Sequence, residues 1–173
     1  MATAAKSTLI AVDTNFLLDL AAKTPMGWDA LETLKDRLPS PIFLVPPTVI
    51  NELAVAHDDP EEREEQRLAK LALTRLRQIW KFQPIELVPV GHGIVERIAD
   101  SIRERGYLPA EEKNDSYILA EAALLDCRLL VTADSHLLDV PANPLKLLLD
   151  SFDVSSPIIV SPRRIVRDFF PKK

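Results

Sequence analysis

Four acids are the residues of this sequence best placed to do chemistry. Asp13 directly follows the short apolar run Thr8 to Val12, and Glu52 sits between Asn51 and Leu53 after Pro47-Thr48-Val49-Ile50. Asp115 follows Asn114 ahead of a run of small and apolar residues, and Asp134 closes Leu130-Val131-Thr132-Ala133-Asp134. Hard divalent cations such as Mg2+ and Mn2+ prefer oxygen ligands, typically a few carboxylates with water and substrate phosphate. Carboxylates held close together raise one another's pKa, and a bound cation removes that cost. Such a cation can lower the pKa of a water and polarise a phosphodiester, with a second ion roughly 4 Å away to stabilise the leaving oxygen. That chemistry needs no His, Cys or Lys nucleophile.

The neighbours of the four acids are short polar residues. Thr14, Asn15, Asn114, Thr132 and Ser135 can fix carboxylate rotamers or ordered water. Thr14 and Asn15 can equally cap a helix that starts there. Each acid also has a purely structural reading. Asp13 can be an N-cap, and Asp134 a turn or cap residue. Asp115 can be a solvated helix acid like Glu111 and Glu112, and Glu52 can edge a buried helix face. The case for a site rests on all four meeting at one place.

What would bring them together is the order of the elements. Thr8 to Val12, Ile42 to Val45, Ile85 to Val90, Arg128 to Thr132 and Pro157 to Val160 read as five short strands. Helical patterns lie between them: Phe16 to Ala22, Trp28 to Leu38, Pro47 to about His57, Ile94 to Arg105 and Ala110 to Leu125, with a last one through Phe169. Pro60 to about Phe82 reads as one long charged helix, acidic in its first half and basic in its second. Alternating strands and helices predict an α/β fold with a mostly parallel sheet of about five strands and helices on both faces. Sites in such sheets lie beyond the carboxyl ends of the strands, where Asp13 and Asp134 are expected.

The bulk properties are compatible with this. The 173 residues are 47% hydrophobic and 27% charged, which suits one soluble domain spanning 1–173, with 60–90 as an elaboration within it. There is no apolar run of membrane-spanning length, and Met1 to Ser7 lacks the apolar stretch of a signal peptide, so a cytoplasmic location is expected. The single Cys127 fits a reducing compartment and reads as a small buried residue. The net charge of −5 argues against broad coating of nucleic acid but not against a nuclease, whose cations are absent from that sum.

The four acidic segments resemble, in order, the motifs of PIN domains. Leu9 to Asn15 is similar to the opening strand and first acid, and Pro47 to Leu53 to the helix carrying a Glu. Asn114 to Ala122 resembles the Asn-Asp pair that opens a helix, and Leu130 to Asp134 the fourth motif. Pro157 to Pro162 is like the closing strand. The resemblance covers nearly the whole chain. It implies a three-layer α/β/α sandwich, Mg2+ or Mn2+ held by Asp13, Glu52, Asp115 and Asp134, and hydrolysis of RNA. It further implies homodimers and, for VapC-like toxins, a small antitoxin partner. Two departures stand out: the chain is longer than the most compact toxins, and Ser135-His136-Leu137 stands where an aromatic often follows the fourth acid.

Other features carry less. The basic half of the long helix and the tail cations Arg163, Arg164, Arg167, Lys172 and Lys173 can contact phosphates, although solvated helix faces are the commoner explanation. His57, His92 and His136 lack metal-ligand spacing and read as ordinary surface histidines. Trp28 and Trp80 read as packing residues, and Gly91-His92-Gly93 is too short for a phosphate loop. Two other functions compete. A haloacid-dehalogenase-like phosphatase would need a second Asp two residues after Asp13, where Asn15 stands. A catalytically silent PIN-like module for binding RNA or protein would not need all four acids.

Overall fold

The computed structural model describes residues 6–169. In chain order the elements begin with β1 (Thr8–Val12), α1 (Thr14–Ala21), α2 (Pro25–Arg37), β2 (Pro41–Val45) and α3 (Pro47–Asp58). There follow α4 (Arg63–Arg75), β3 (Gln83–Pro84), α5 (Pro89–Glu104), α6 (Lys113–Leu124) and β4 (Leu129–Val131). The chain continues through α7 (Ser135–Leu138), α8 (Ala142–Asp150), β5 (Ile158–Val160) and α9 (Pro162–Phe169).

β1 is central, and Ile10, Ala11 and Val12 are fully buried. A strand covered on both faces needs no apolar-polar alternation, which explains its continuous apolar run. The sheet order is β3-β2-β1-β4-β5, and every pairing is parallel. From β1 the chain moves outward through β2 to β3, then crosses back to place β4 and β5 on the other side. Helices cover both faces, giving the expected three-layer α/β/α architecture. The order reverses at β1 and β4, and in such sheets ligands bind beyond the carboxyl ends of the strands at that point.

Three expectations fail in the middle of the chain. The long helix from Pro60 to Phe82 is α4 alone, ending at Arg75. Trp80 and Phe82 both enter the core, where Phe82 stacks on Phe43 at 4.9 Å and Trp80 meets Trp28 edge-on at 6.4 Å. Residues two apart share a face only in extended chain, so the helix has to stop before them. Lys81 between them has φ 60. The third strand is Gln83–Pro84, not Ile85 to Val90. Pro84 has no amide hydrogen to donate, which fits a short strand at the sheet edge. Pro89 then starts α5 five residues before the expected Ile94. Gly91, His92 and Gly93 lie inside the first turns of that helix. Helices α7 and α8, between Asp134 and the last strand, were not anticipated. Gly106 follows the Arg105 C-cap of α5 with φ 71, the left-handed conformation that commonly ends a helix.

Candidate functional site

Asp13 ends β1 and caps α1, with the Thr14 amide donating to its Oδ1 over 2.7 Å. Its Oδ2 accepts from the Thr132 hydroxyl at 2.6 Å and from Asn15 Nδ2 at 3.1 Å. Asn15 also accepts from the Ala133 amide at 3.0 Å, tying the exits of β1 and β4 together. Asp13 is 3% exposed. Its carboxyl is pushed up by burial and by Asp134, while the bonds from Thr132, Thr14 and Asn15 pull it down. Asp13 is therefore the N-cap of α1, and the expectation that Thr14 or Asn15 caps that helix fails: the Thr14 hydroxyl has no partner, and the Asn15 side chain bonds to Asp13, Thr132 and Ala133 instead.

The other three acids face Asp13 from separate elements. Glu52 comes from α3, and burial, with Asp13, Glu121 and Asp134 nearby, pushes it up to about 7. Asp115 lies in the first turn of α6; burial and the charges of Asp134, Asp13, Glu112 and Glu52 push it up to about 8. Asp134 caps α7, its Oδ1 accepting from the amides of His136 and Leu137 at 2.8 and 3.3 Å. Four carboxyl groups thus share one electrostatic pocket at the carboxyl ends of β1, β2 and β4.

Glu52 Oε1, Asp115 Oδ2 and the Thr14 hydroxyl are buried without a hydrogen-bond partner. Thr14 lies near enough to Glu52 to favour its charged form, yet falls short of hydrogen-bond geometry. Buried acceptors without donors are costly, and several in one acidic pocket suit a cation. The donor set is all oxygen, which fits Mg2+ or Mn2+.

Of the five polar neighbours, Thr14, Asn15 and Thr132 contact the acids or lie against them. Asn114 and Ser135 are exposed, Asn114 on the wall of a groove beside Glu52. That groove holds about 700 Å3 and is also lined by Thr48, Asn51, His92, Lys113, Tyr117 and Glu121.

Sequence reasoning gave no role to three residues near the pocket. His136 Nδ1 pairs with Glu112 at 3.0 Å, and together with Asp115 they form a cluster whose ligand-type atoms lie within 4.8 Å of one another. A one-turn helix creates that proximity, and its four residues leave no periodic pattern to read. Glu121, buried in α6, accepts from the Thr48 amide at 3.0 and 3.1 Å through its two oxygens. A Glu inside the apolar run of α6 was the available signal.

Several other expectations can be placed. Cys127 is buried and its thiol is pushed up to about 12, so it is inert. Arg67 pairs with Glu64 at 2.7 Å, and Arg164 and Arg167 both pair with Asp168, so these cations form exposed ion pairs on their own helices. Lys172 and Lys173 lie outside the described residues. No described helix is long and apolar enough to cross a membrane.

Solved structures with the same fold include VapBC2 from Rickettsia felis bound to a DNA fragment from its promoter. It is 14% identical, with a TM-score of 0.58 over 89% of this chain and 98% of that one. VapBC-1 from nontypeable Haemophilus influenzae is 16% identical, with a TM-score of 0.53 over 90% and 99%. FitAcB from Neisseria gonorrhoeae is 16% identical, with a TM-score of 0.51 over 89% and 98%. No curated protein matches the sequence. The PIN-domain family model matches residues 10–143, a span that contains all four acids. The chain belongs to the PIN-domain family.

Proposed function

We propose that the protein is a divalent-metal-dependent endoribonuclease and the toxin of a toxin-antitoxin pair. The observation that carries the nuclease reading is the pair of buried, partnerless carboxylate oxygens on Glu52 and Asp115, facing Asp13 and Asp134 in a PIN-domain chain. Asp13, Glu52, Asp115 and Asp134 would hold Mg2+ or Mn2+. A cation bound there supplies charge neutralisation at the phosphodiester and a water of lowered pKa for attack.

The remaining work falls to the chain. Thr132 and Asn15 hold Asp13 in one rotamer, so its oxygens keep their direction when substrate enters. Asp134 is fixed by capping α7. The groove beside Glu52 carries the Lys113 ammonium, 6.0 Å from the Tyr117 ring centre, on a wall that also holds Asp59, Glu62, Glu65 and Glu121, so RNA phosphates would need bound cations to lie there. The toxin reading is supported by the fold shared with VapBC and FitAcB proteins. It implies a small antitoxin partner and a homodimer.

The test is cleavage of a mixed RNA panel with Mn2+, Mg2+ or EDTA by the wild type, Asp13→Asn and Asp115→Asn. Metal-dependent cleavage lost in both variants supports the nuclease. Equal cleavage by all three proteins identifies a contaminant. Full Mn2+ binding without cleavage of any RNA favours a silent binding module. Growth arrest on expression in a bacterial host, abolished by Asp13→Asn, tests the toxin reading.

A further inference from the structure

Helix α3, which carries Glu52, begins without a cap of its own. Its N-cap is Pro46, whose side chain makes no capping bond, and Pro47 follows at the first helical position. Neither proline has an amide hydrogen, so Thr48 is the first residue of the helix able to donate. Its partner is Glu121, on a different helix and 73 residues away, with both carboxylate oxygens within 3.1 Å. Glu121 is 2% exposed.

The usual way to satisfy such an amide is a local Ser, Thr, Asn or Asp at the N-cap. That would cost less than a buried carboxyl, which burial pushes up to about 7 here. Glu121 also raises Glu52, adding to the repulsion in the pocket. As a stability device the arrangement is poor. It does one thing a local cap cannot: it ties α3 to α6. Glu52 lies one turn beyond Thr48 on α3, while Asp115 lies on α6, six residues and about 9 Å of axial rise before Glu121.

We propose that Glu121 is a positioning residue: by binding the Thr48 amide it locks the start of α3 to α6 and sets where Glu52 stands relative to Asp115. The inference rests on the reading of the four acids as a cation pocket. It gives Glu121 no contact with the cation or the substrate.

The test uses the full chain and Mn2+ as probe, with free Mn2+ followed by electron paramagnetic resonance and folding by circular dichroism. Glu121→Met keeps the volume and removes the acceptor; Glu121→Gln retains an amide carbonyl that can accept from Thr48. Glu121→Met should weaken Mn2+ binding roughly 10–100-fold, the range seen when groups that orient metal ligands are lost. Glu121→Gln should stay within about threefold of the wild type, and RNA cleavage should follow the same order. Should Glu121→Met not fold, Thr48→Pro removes the donor instead, at a helix position where proline is tolerated, and should show the same loss. Unchanged Mn2+ affinity in a folded Glu121→Met or Thr48→Pro would overturn the proposal and leave Glu121 a plain structural cap. So would an equal loss in Glu121→Gln. A wild type that binds no Mn2+ would instead remove the cation pocket on which the proposal stands.

Discussion

The hydroxyl of Thr132 donates to Asp13 Oδ2 over 2.6 Å, joining residues 119 positions apart in the chain. The same oxygen atom of Thr132 accepts from the Asp134 amide at 3.0 Å and from Asn15 Nδ2 at 3.3 Å. One buried hydroxyl therefore sets the first and fourth acids together, across the place where the strand order reverses. Thr132→Val keeps the shape and removes every one of these bonds. Leaving a buried acceptor without its donor costs about 1–3 kcal/mol. We expect a stability loss of that size in chemical denaturation. Mn2+ affinity should fall about 10–100-fold, as for other groups that orient ligands. A variant that loses stability but binds Mn2+ as the wild type does would reduce Thr132 to a packing residue.

Asp115→Asn should behave in the opposite way. Asp115 is raised by burial and by four neighbouring acids, so the apo protein carries its charge at a cost. Replacing it with Asn removes the repulsion while keeping the size. The metal-free variant should melt at the same temperature as the wild type or higher, and its RNA cleavage should be lost. A large drop in melting temperature would mean that Asp115 is structural.

The same repulsion predicts how stability depends on pH. Glu52, Asp115 and Glu121 are raised from 4.5, 3.8 and 4.5 to about 7, about 8 and about 7. Between those limits the native state binds more protons than the unfolded chain, so unfolding free energy falls as pH rises. The stabilisation is complete below about pH 4 for these groups and is lost on passing through about pH 7 to 8. Metal-free protein should accordingly lose melting temperature from pH 5 to pH 8.5 as these three groups deprotonate. Saturating Mn2+ should flatten that slope, and calorimetry in buffers of different ionisation enthalpy at pH 7 should show protons released as the metal binds. An apo protein that grows more stable over this range would contradict the pocket's electrostatics.

Much of this site can be read from residue types because its acids sit where strands end. The runs Thr8 to Val12 and Leu129 to Val131 are apolar throughout, so both read as buried strands, and Asp13 and Asp134 follow them closely. The third strand was not legible in the same way. Ile85 to Val90 alternates like a strand, but the paired residues are Gln83 and Pro84 just before it, and Pro89 inside the run starts a helix. The end of α4 was also hidden, because its charge pattern continues past Arg75 while the aromatic pair Trp80 and Phe82 demands extended chain. Glu121 shows the limit most clearly. Its partner is a backbone amide on another helix, and no local spacing encodes a contact 73 residues long. Only the uncapped Pro46-Pro47 start, set beside an acid in an apolar run, hints that an acceptor must come from elsewhere.

Asp134 has two duties that substitution can separate. It caps α7 through two backbone amides, and it faces Asp13 and Asp115 as a charge. Asn is as good an N-cap as Asp, whereas Ala caps poorly and typically costs about 1 kcal/mol. Asp134→Asn should therefore leave thermal stability near that of the wild type, and Asp134→Ala should lower it. If the charge serves cation binding, both variants should lose RNA cleavage and Mn2+ affinity alike, because neither offers a carboxylate. The comparison turns on the Asn variant: a stable protein without activity assigns the carboxylate to chemistry. Should Asp134→Asn cleave RNA as the wild type does, Asp134 is a cap alone, and the pocket must work with Asp13, Glu52 and Asp115.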